Sequence, residues 1–320
     1  MLFEYKDCLS PIKDKGIVVV KKGRSVESLY TFCVPTFKRS GDLKEALDSV
    51  FSQQTTIPFN VIVSDNNPER DDETEVLIEK YYSNKDNLTY IKNVENLGMA
   101  GNWNRLILEC KTEYMVLFHD DDVLFPNFLE RLEEIRSQYP TVAALNAGKQ
   151  KSSNPSGDTI KSRSGRLVSH TAKSNYCKYL FGAPSGCLFK ISDLISIGGF
   201  DDDSYPSIDY VAIEKLCLEN KVVLSTSEPL MFYRVGSNAT AKLETQLKWL
   251  DIDYQIKNEL KEKLGLSPVL YKTALWFETK MRLRGIIKIT PGTRYNGYKA
   301  GGNTFCVLYS LYDYCLRMRG

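Results

Sequence analysis

The chain has 320 residues, which is enough for one large domain or two and for a sizeable hydrophobic core. Its residues are 42% hydrophobic, 26% charged and 11% aromatic, a composition that excludes disordered, collagen-like and polytopic membrane proteins. The formal net charge is only +2, so the chain lacks the basic excess of a dedicated nucleic-acid-binding protein, and we expect no nucleic-acid partner.

Charge is distributed unevenly along the sequence. Residues 240–320 contain 14 Lys and Arg against 7 Asp and Glu, so this part carries +7 and the preceding residues carry −5. The eight cysteines have no CxxC spacing, and most lie in apolar runs, which is typical of buried, reduced thiols. Because there is neither an apolar secretory segment nor a stretch near the roughly 18 apolar residues of a membrane span, we expect a cytoplasmic protein.

The first predicted elements are a strand, a loop and a helix. After a polar leader, residues 1–24, the segment 28–34 is rich in β-favouring residues and stops at Pro35. Ser40 is predicted to cap the helix that follows. Five apolar residues recur in it at helical spacing: Leu43, Ala46, Leu47, Val50 and Phe51.

The same unit is then repeated. A strand over 59–64 ends in turn-forming residues and leads into a helix with four residues on one face: Val76, Leu77, Lys80 and Tyr81. A strand over 88–93, a helix over 98–110 and a strand over 114–118 follow. This alternation predicts a parallel sheet with helices on both faces, in which ligands bind at the carboxyl ends of the strands.

The second half is predicted to extend the sheet. Residues 149–174 are rich in Ser, Lys, Gly and Asn and predict a mobile loop. Beyond it, strands are predicted over 186–191 and 222–225, with a helix over 209–219 between them, and a further apolar strand is predicted over 230–233. An α/β domain is therefore expected over residues 25–240.

The last part of the sequence predicts helices. The segment 243–287 has a helical pattern that is interrupted at Gly265 and Pro268, and a tyrosine-rich end follows it. We expect a helical, basic C-terminal region over residues 241–320.

Three consecutive carboxylates, Asp120, Asp121 and Asp122, follow the fourth predicted strand. Clustered like charges repel unless a cation offsets them, so the triplet predicts a divalent metal site. Oxygen ligands suit Mg²⁺ or Mn²⁺, and such ions commonly bridge to phosphate oxygens. The alternative is an acidic turn before a helix over 126–138, without a ligand.

A series of short motifs occurs in a fixed order between residues 28 and 240. The series comprises Val34-Pro35-Thr36-Phe37, Leu47-Asp48-Ser49-Val50, Val61-Ile62-Val63-Ser64-Asp65-Asn66, Asn96-Leu97-Gly98, Asp120-Asp121-Asp122 with Pro126, Gly198-Gly199-Phe200-Asp201, Ile208-Asp209-Tyr210 and Tyr233-Arg234. It resembles the successive motifs of GT-A glycosyltransferases of family 2, and the order is more specific than any single motif.

The resemblance implies a GT-A, Rossmann-like fold with a mostly parallel sheet and an inverting, metal-dependent transfer from a nucleotide sugar. Position by position, it implies a donor pocket formed by five residues: Pro35, Thr36, Arg39, Asn96 and Gly98. Asp65 is implied to bond the base, usually uracil.

For the acidic triplet, the resemblance implies the family's DxD region. Asp121 matches the best-defined metal ligand, Asp122 is assigned to the metal as well, and Asp120 is assigned to the donor. Many relatives carry a carboxylate where this chain has His119, which leaves open which flanking carboxylate takes that role. The implied ion is Mn²⁺ or Mg²⁺.

Asp209 aligns with the carboxylate that the family uses as general base, which removes the proton of the acceptor hydroxyl as it attacks. It follows Ile208 where relatives often have Glu, and the alternative role for Asp209 is a helix N-cap. Arg234 is a candidate for offsetting charge on the leaving diphosphate, with an ordinary surface arginine as the alternative.

The sequence and the resemblance together predict an enzyme that transfers a sugar from a UDP-sugar to a glycan hydroxyl. The resemblance places such an enzyme in bacterial surface polysaccharide biosynthesis. Two alternatives stay open. A sugar nucleotidyltransferase would have a Gly-rich loop with Arg or Lys after the first strand, and a catalytically silent nucleotide-sugar-binding scaffold is suggested by Ile208 and His119.

The basic C-terminal region predicts a second partner. Arg282, Arg284 and Lys288 are interleaved with apolar residues, a pattern of helices that lie on anionic membranes, although a solvated helix face is the alternative. The expectation is peripheral contact with the inner face of a membrane and an acceptor such as a polyprenyl-diphosphate-linked glycan.

Overall fold

Ten strands in one sheet and ten α-helices form the part of the chain that the computed structural model describes, namely residues 1–155, 157–161, 163–177, 179, 181–235 and 243–289. The strands are β1 Ile17–Lys21, β2 Tyr30–Thr36, β3 Phe59–Asp65, β4 Leu88–Asn93, β5 Tyr114–Leu117, β6 Val123–Leu124, β7 Val142–Ser152, β8 Leu167–His170, β9 Cys187–Lys190 and β10 Val222–Arg234. The helices are α1 Ser10–Lys13, α2 Ser40–Phe51, α3 Glu73–Tyr82, α4 Gly98–Glu109, α5 Phe128–Gln138, α6 Ala172–Cys177, α7 Ile191–Ser196, α8 Ile208–Leu218, α9 Leu243–Leu264 and α10 Pro268–Ile289.

The sheet combines a parallel part with a mixed part. Its order is β1-β4-β3-β2-β5-β9-β7-β10-β6, and β8 also pairs with β10. Strands β4, β3, β2 and β5 run parallel to one another, as do β7 and β10. β1, β6, β8 and β9 run against their neighbours. The predicted α/β fold, a sheet flanked by helices, is confirmed.

Helices cover both faces of the sheet. Tyr30, Phe32 and Val34 of β2 pack in one apolar cluster with α2, α3 and α5. Cys33 of the same strand belongs to a second cluster with α4, α7 and α8. Because alternate residues of a strand point to opposite faces, the sheet separates these two cores.

In the first half, the predicted strands and helices are confirmed to within about two residues, but two local predictions are wrong. Ser40 is the first residue of α2 rather than its cap, which is Arg39, and the Ser40 hydroxyl instead donates to Glu73. On α3, Val76 and Tyr81 are exposed. The buried apolar residues of that helix are Leu77, Ile78 and Tyr82.

The segment 149–174 contains more regular structure than its composition predicts. β7 continues to Ser152, and Leu167–His170 forms β8. Both pair with β10, which is also longer than the predicted strand 222–225. The prediction of a loop is therefore wrong at both ends of this segment, because β10 supplies hydrogen-bond partners that local composition does not reveal.

The predicted leader, residues 1–24, contributes to the fold. β1 pairs with β4 at the edge of the sheet, and the side chains of Leu2 and Phe3 are buried. The domain boundaries stay predictions. Five cysteines have described side chains, and all are free thiols, four of them buried, as expected.

The predicted C-terminal helices are present as α9 and α10. Gly265, at φ +58°, follows α9 in the left-handed conformation that glycine adopts without strain. Both helices pack on α6 and α8 through a third apolar cluster, which includes Tyr176, Tyr210, Ile256, Leu260 and Ala274. The tyrosine-rich end, 290–320, lies outside the described residues. Among those that are described, no helix has the length and apolar character needed to cross a bilayer.

Candidate active site

A cavity of about 480 Å³ lies at the carboxyl ends of β2, β3 and β5. This is the edge of the sheet at which the strand order predicts a ligand, and its volume is typical of small-molecule sites. The lining residues are Pro35, Thr36, Phe37, Arg39, Asn66, Asn96, Gly98, Met99, Asn102, Trp103, His119, Asp120, Asp121, Tyr205 and Tyr233.

The loop after β2 brings a cation and a hydroxyl to the acidic triplet. Lys38 adopts a φ of +54°, a conformation that is uncommon for a residue with a side chain. Next to this turn, the Arg39 guanidinium lies 2.8 Å from Oδ2 of Asp121. The Thr36 hydroxyl donates to Asp120 at 2.7 Å. The loop therefore contacts two of the three carboxylates directly.

The triplet is buried. Asp120 and Asp121 are 7% and 8% exposed and Asp122 is 1% exposed. Burial raises the pKa of Asp120 and of Asp122 to about 7, and the charge of Asp121 between them adds to this. Oδ1 of Asp122 accepts from the backbone N–H of Arg234, but its Oδ2 has no hydrogen-bond partner among the described residues. The described residues therefore supply too few hydrogen bonds and positive charges to balance three ionised carboxylates.

His119 belongs to the same cluster. Its ring stacks on Trp103 with 5.6 Å between centroids, and its buried Nε2 finds no partner within the described part of the chain. Burial lowers the pKa of His119 to about 4, so the imidazole is neutral near pH 7. Potential ligand atoms of His119, Asp121 and Asp122 lie within 4.8 Å of one another. One nitrogen and two carboxylates can therefore converge on a single cation.

Amide side chains hold the start of α4 against the end of β3. Asn66 donates to Oδ1 of Asn96 at 2.7 Å and to the carbonyl of Gly98 at 3.0 Å, and it accepts from the N–H of Leu97. Gly98 has a φ of +73°, which favours glycine, and its N–H donates to Oδ1 of Asn96 at 2.9 Å, while the N-cap residue Leu97 has no capping side chain. The first turn of a helix without a side-chain cap attracts anions, and here it borders the cavity.

Asp65 has a different position from the one expected for a base-binding residue. It is fully buried and does not line the cavity. Its carboxylate accepts from Tyr90 at 2.8 Å, from Lys92 at 3.0 Å and from the N–H of Asn67 at 2.9 Å. Asn66 lies on the cavity wall instead. Contact between Asp65 and a base stays a prediction, and in this arrangement Asp65 anchors the loop that presents Asn66.

Arg234 forms hydrogen bonds with the triplet and does not line the cavity. Besides the backbone contact with Asp122, its Nε donates to the carbonyl of Asp121 at 2.8 Å, and Nη2 donates to Glu45 at 2.7 Å. The role on a leaving diphosphate stays a prediction, while the contacts show a residue that fixes the conformation of the triplet.

Asp209 lies in the first turn of α8. The N-cap of that helix is Ser207, so the alternative role of Asp209 as N-cap is wrong. Burial raises the pKa of Asp209 to about 6, opposed by the backbone N–H groups of Tyr210 and of Asp209 itself and by the Tyr179 hydroxyl, which donates at 3.3 Å. A carboxylate with this pKa is ionised at pH 7 and is basic enough to accept a proton.

Lys149, in β7, was not among the predicted site residues. Its ammonium donates to Oδ1 of Asn146 at 2.7 Å and to the carbonyl of Ala147 at 3.0 Å. Burial lowers its pKa to about 8, while the negative groups that oppose this include Asp122 and Asp209. Lys149 therefore lies within electrostatic reach of both the triplet and Asp209.

Seven residues predicted for the donor or the metal lie together on the cavity wall: Pro35, Thr36, Arg39, Asn96, Gly98, Asp120 and Asp121. Their roles stay predictions. Sequence reasoning missed His119 as a possible ligand, although its position directly before three carboxylates was a signal. It also missed Lys149 and Tyr179, for which the single sequence holds no comparable signal.

Comparison with known proteins gives a family match. A family model described as "Glycosyl transferase family 2" matches residues 31–197, more than half of the chain. An uncharacterized glycosyltransferase of Haemophilus influenzae is 29% identical over 115 residues, which are 36% of this chain and 36% of that protein. The match thus spans about a third of the length of this curated relative.

Two solved structures have a similar fold. TarS of S. aureus, residues 1–349 in complex with UDP-GlcNAc, has a TM-score of 0.57 at 16% identity, over 87% of this chain and 79% of that one. The mannosyltransferase PcManGT from Pyrobaculum calidifontis, in complex with GDP-Man and Mn²⁺, has a TM-score of 0.58 at 15% identity, over 96% and 85%. At these identities the likeness concerns the fold.

Proposed function

The chain belongs to glycosyl transferase family 2, and on that premise we propose that it transfers a sugar from a UDP-sugar to a hydroxyl group of a glycan, with inversion at the anomeric carbon. The observation that carries this proposal is the composition of the cavity wall. The start of α4, the Arg39 guanidinium, Asp120 and Asp121 border one space, and the next residue, Asp122, has a buried oxygen without a partner among the described residues. A nucleoside diphosphate with a divalent cation has the charges that complement these groups.

The residues present fit a divalent metal. Nε2 of His119 and Oδ2 of Asp122 are buried without partners among the described residues. His119, Asp121 and Asp122 each offer one ligand atom that lies within 4.8 Å of the other two. Carboxylate oxygens suit Mg²⁺ and Mn²⁺, and an added imidazole favours Mn²⁺. We assign the ion to His119, Asp121 and Asp122. When bound, it would offset the negative charge that develops on the leaving diphosphate.

Asp209 is the proposed general base. The acceptor O–H gives its proton to the Asp209 carboxylate while the oxygen attacks the anomeric carbon. The bond from that carbon to the diphosphate oxygen breaks, and its electron pair leaves with the nucleoside diphosphate. Arg39 and the N–H groups of α4 bind the diphosphate. Because they are already in place, they stabilise the negative charge that develops on it. The pKa of about 6 keeps Asp209 ionised at neutral pH.

Release of UDP tests the proposal. The protein is incubated with Mn²⁺, a panel of UDP-, GDP- and ADP-sugars and free or lipid-linked oligosaccharide acceptors, and products are identified by mass spectrometry. Release of UDP with transfer is expected. Pyrophosphate release would instead favour a sugar nucleotidyltransferase, and strict preference for GDP- or ADP-sugars would contradict the assignment of uridine.

The variant Asp209→Asn separates a transferase from a silent scaffold. It should bind UDP and Mn²⁺ as the wild type does but lose turnover by at least about 100-fold, because the general base is absent. The matched control is Asp14→Asn, which changes an exposed carboxylate and should leave turnover intact. If neither the wild type nor the control turns over any donor, the scaffold is the better description.

The acceptor and the cellular location are also proposed. We retain a polyprenyl-diphosphate-linked glycan and peripheral contact of the basic C-terminal region with a membrane, in a bacterial surface polysaccharide pathway. The structure restricts this surface, because Arg282 is paired with Asp253 at 2.7 Å and Ile286 is buried. Association with anionic liposomes that weakens with salt is expected from the remaining basic residues.

A further inference from the structure

The C-terminal helices contact the segment that carries Asp209. Ser207, directly before α8, donates to Oδ1 of Asp253 in α9 at 3.4 Å. Oδ2 of Asp253 accepts from Nε of Arg282 in α10 at 2.7 Å, and the Arg282 guanidinium lies 4.4 Å from the Trp249 ring. Asp253 is 2% exposed. An ion pair between α9 and α10, with its carboxylate buried, is thus linked to the N-cap of α8.

A second chain of contacts ends on the Asp209 carboxylate itself. The Tyr179 hydroxyl donates to Oδ2 of Asp209 at 3.3 Å, and its ring stacks on Tyr210 with centroids 4.3 Å apart. The Tyr210 hydroxyl accepts from Nζ of Lys257 in α9 at 2.9 Å. Lys257 is fully buried and also donates to the carbonyl of Tyr176. Tyr179 is therefore held by a residue that α9 anchors.

These contacts are more extensive than helix packing requires. A buried Lys and a buried Asp each cost desolvation energy that well-packed apolar residues would avoid, so packing of the helices does not require them. Asp253 contacts Ser207 and Lys257 contacts Tyr210, both within two positions of Asp209 in the sequence. A bond of 3.3 Å is long for a hydroxyl and a carboxylate, but contacts of a general base commonly tighten when substrate is bound.

We propose that the α9–α10 pair is a positioning element of the active site, which acts on Asp209 through Tyr179 and Ser207. Tyr179 orients the carboxylate and stabilises its ionised form by donating a hydrogen bond. Lys257 holds Tyr210, against which Tyr179 stacks, and Arg282 supplies a positive charge close to Asp209. The inference rests on the proposed role of Asp209 as general base.

The charged surroundings of Asp209 come from several elements. Arg282 of α10 favours its ionised form, and Lys149 of β7 is within reach of its charge. The Cys187 thiol of β9 and the Tyr179 hydroxyl face it as neutral groups, since burial raises the pKa of both well above their ordinary values. Loss of the Tyr179 hydrogen bond should therefore raise the pKa of Asp209, because the remaining groups stay in place.

The first experiment measures the pKa of Asp209 directly in the full-length chain. Carboxyl carbons of Asp are followed by ¹³C NMR against pH, and the Asp209 signal is identified by its loss in Asp209→Asn. In Tyr179→Phe the pKa of Asp209 should rise by about one unit, the effect of losing one bond to a charged group. Tyr82→Phe is the matched control, because Tyr82 donates to Asp48 at 2.8 Å in another part of the fold.

The contribution of α10 is tested with two substitutions of Arg282. Arg282→Gln removes the charge and should raise the pKa of Asp209, whereas Arg282→Lys keeps the charge and should restore it. A general loss of packing would affect both variants alike. An unchanged Asp209 titration in both Tyr179→Phe and Arg282→Gln would overturn the proposal, whether or not any donor is turned over.

The second experiment uses the pH profile of kcat with the nucleotide sugar found in the donor panel. Tyr179→Phe should shift the acidic limb upward by about one pH unit, with a roughly tenfold loss below that limb, near-wild-type kcat at pH 8.5 and an unchanged KM for the donor. A uniform loss of kcat at all pH values would mean that Tyr179 is only structural and would overturn the positioning role. If the wild type turns over no donor, the proposed function fails, while the NMR titration still decides whether the helices act on Asp209.

Discussion

Two clusters of buried carboxylates lie close to the same loop end of the sheet, and they differ in how their charge is compensated. In the first, Lys92 lies 3.0 Å from Asp65, 2.8 Å from Asp72 and 3.6 Å from Glu75. In the second, the triplet Asp120, Asp121 and Asp122 has Arg39 as its cation, 2.8 Å from Asp121. In the first cluster, here called the closed cluster, Lys92 supplies the counter-charge. The second, here called the open cluster, borders a cavity.

The pKa values follow this difference at Asp72 and Glu75, whereas at the fully buried Asp65 desolvation outweighs the bond from Lys92 and raises the pKa. Burial alone would raise the pKa of Asp72 and Glu75, but the bonds from Lys92 and Arg70 outweigh it, and both values lie below the ordinary range. For Asp120 and Asp122 burial prevails, and the pKa rises to about 7. Burial of acidic residues therefore does not by itself indicate a ligand, whereas a missing counter-charge does.

Removing the cation of the closed cluster should strongly destabilise the fold. Lys92→Met leaves three carboxylates without their shared cation, so the free energy of unfolding should fall by about 3–5 kcal/mol. Urea titration of the metal-free protein measures this change, and adding Mn²⁺ should not restore it. Lys44→Met is the control, because the Lys44 and Asp48 pair lies on the surface and contributes little. A similar loss in both variants would remove the distinction between a closed cluster and a surface pair.

The next effect concerns the open cluster. Asp121→Asn should weaken Mn²⁺ binding by at least about tenfold, as removal of groups that support a metal site does. Electron paramagnetic resonance measures free Mn²⁺, and pulsed measurements should detect a ¹⁴N coupling that disappears in His119→Gln. Asp72→Asn, in the closed cluster, should leave Mn²⁺ affinity unchanged. Equal loss in Asp121→Asn and Asp72→Asn would place the ion elsewhere.

A further effect is a dependence of the stability of the metal-free protein on pH. The folded-state pKa of Asp120 and Asp122 is about 7 against an ordinary value of 3.8, so the folded protein binds more protons between these values. Stability without metal should therefore fall as pH rises from about 4 to 7.

Mn²⁺ should reverse this loss over the same window. At about 100 times its Kd it should add about 2.7 kcal/mol at pH 8, a rise of a few degrees in Tm, and almost nothing at pH 5. Thermal unfolding with and without Mn²⁺ at both pH values measures it. An Mn²⁺ effect that is the same at pH 5 and pH 8 would contradict the assignment of these carboxylates.

Much of the fold was predictable because its signals are local. The spacing of Leu43, Ala46, Leu47 and Val50 defined α2, and the run 88–93 defined β4 without error. Gly265 and Pro268 marked the break between the two C-terminal helices. The segment 149–174 was mispredicted because its strands depend on β10, which lies more than 50 residues away in sequence.

The candidate site was predictable where its residues directly follow a strand in the sequence. The loop after β2, the start of α4 and the triplet after β5 each follow a strand of the parallel part, and the carboxyl ends of such strands meet at one edge. Asp65 also lies at the carboxyl end of a parallel strand, but its carboxylate accepts hydrogen bonds from Lys92 and Tyr90. Asn66, the next residue, lines the cavity instead. The sequence identified the loop correctly and could not decide which of its side chains faces the cavity.

The α/β alternation, the order of the family motifs and the three carboxylates at the end of a strand are recognisable from the sequence alone, because periodicity and adjacency are properties of short segments. Tertiary structure alone decided that Tyr179 and Lys149 stand near Asp209, and that α9 and α10 contact its helix. These neighbours are brought together by strand pairing and helix packing over long sequence distances. A carboxylate's neighbours determine its pKa and its partners, so its chemistry was fixed only by the folded chain.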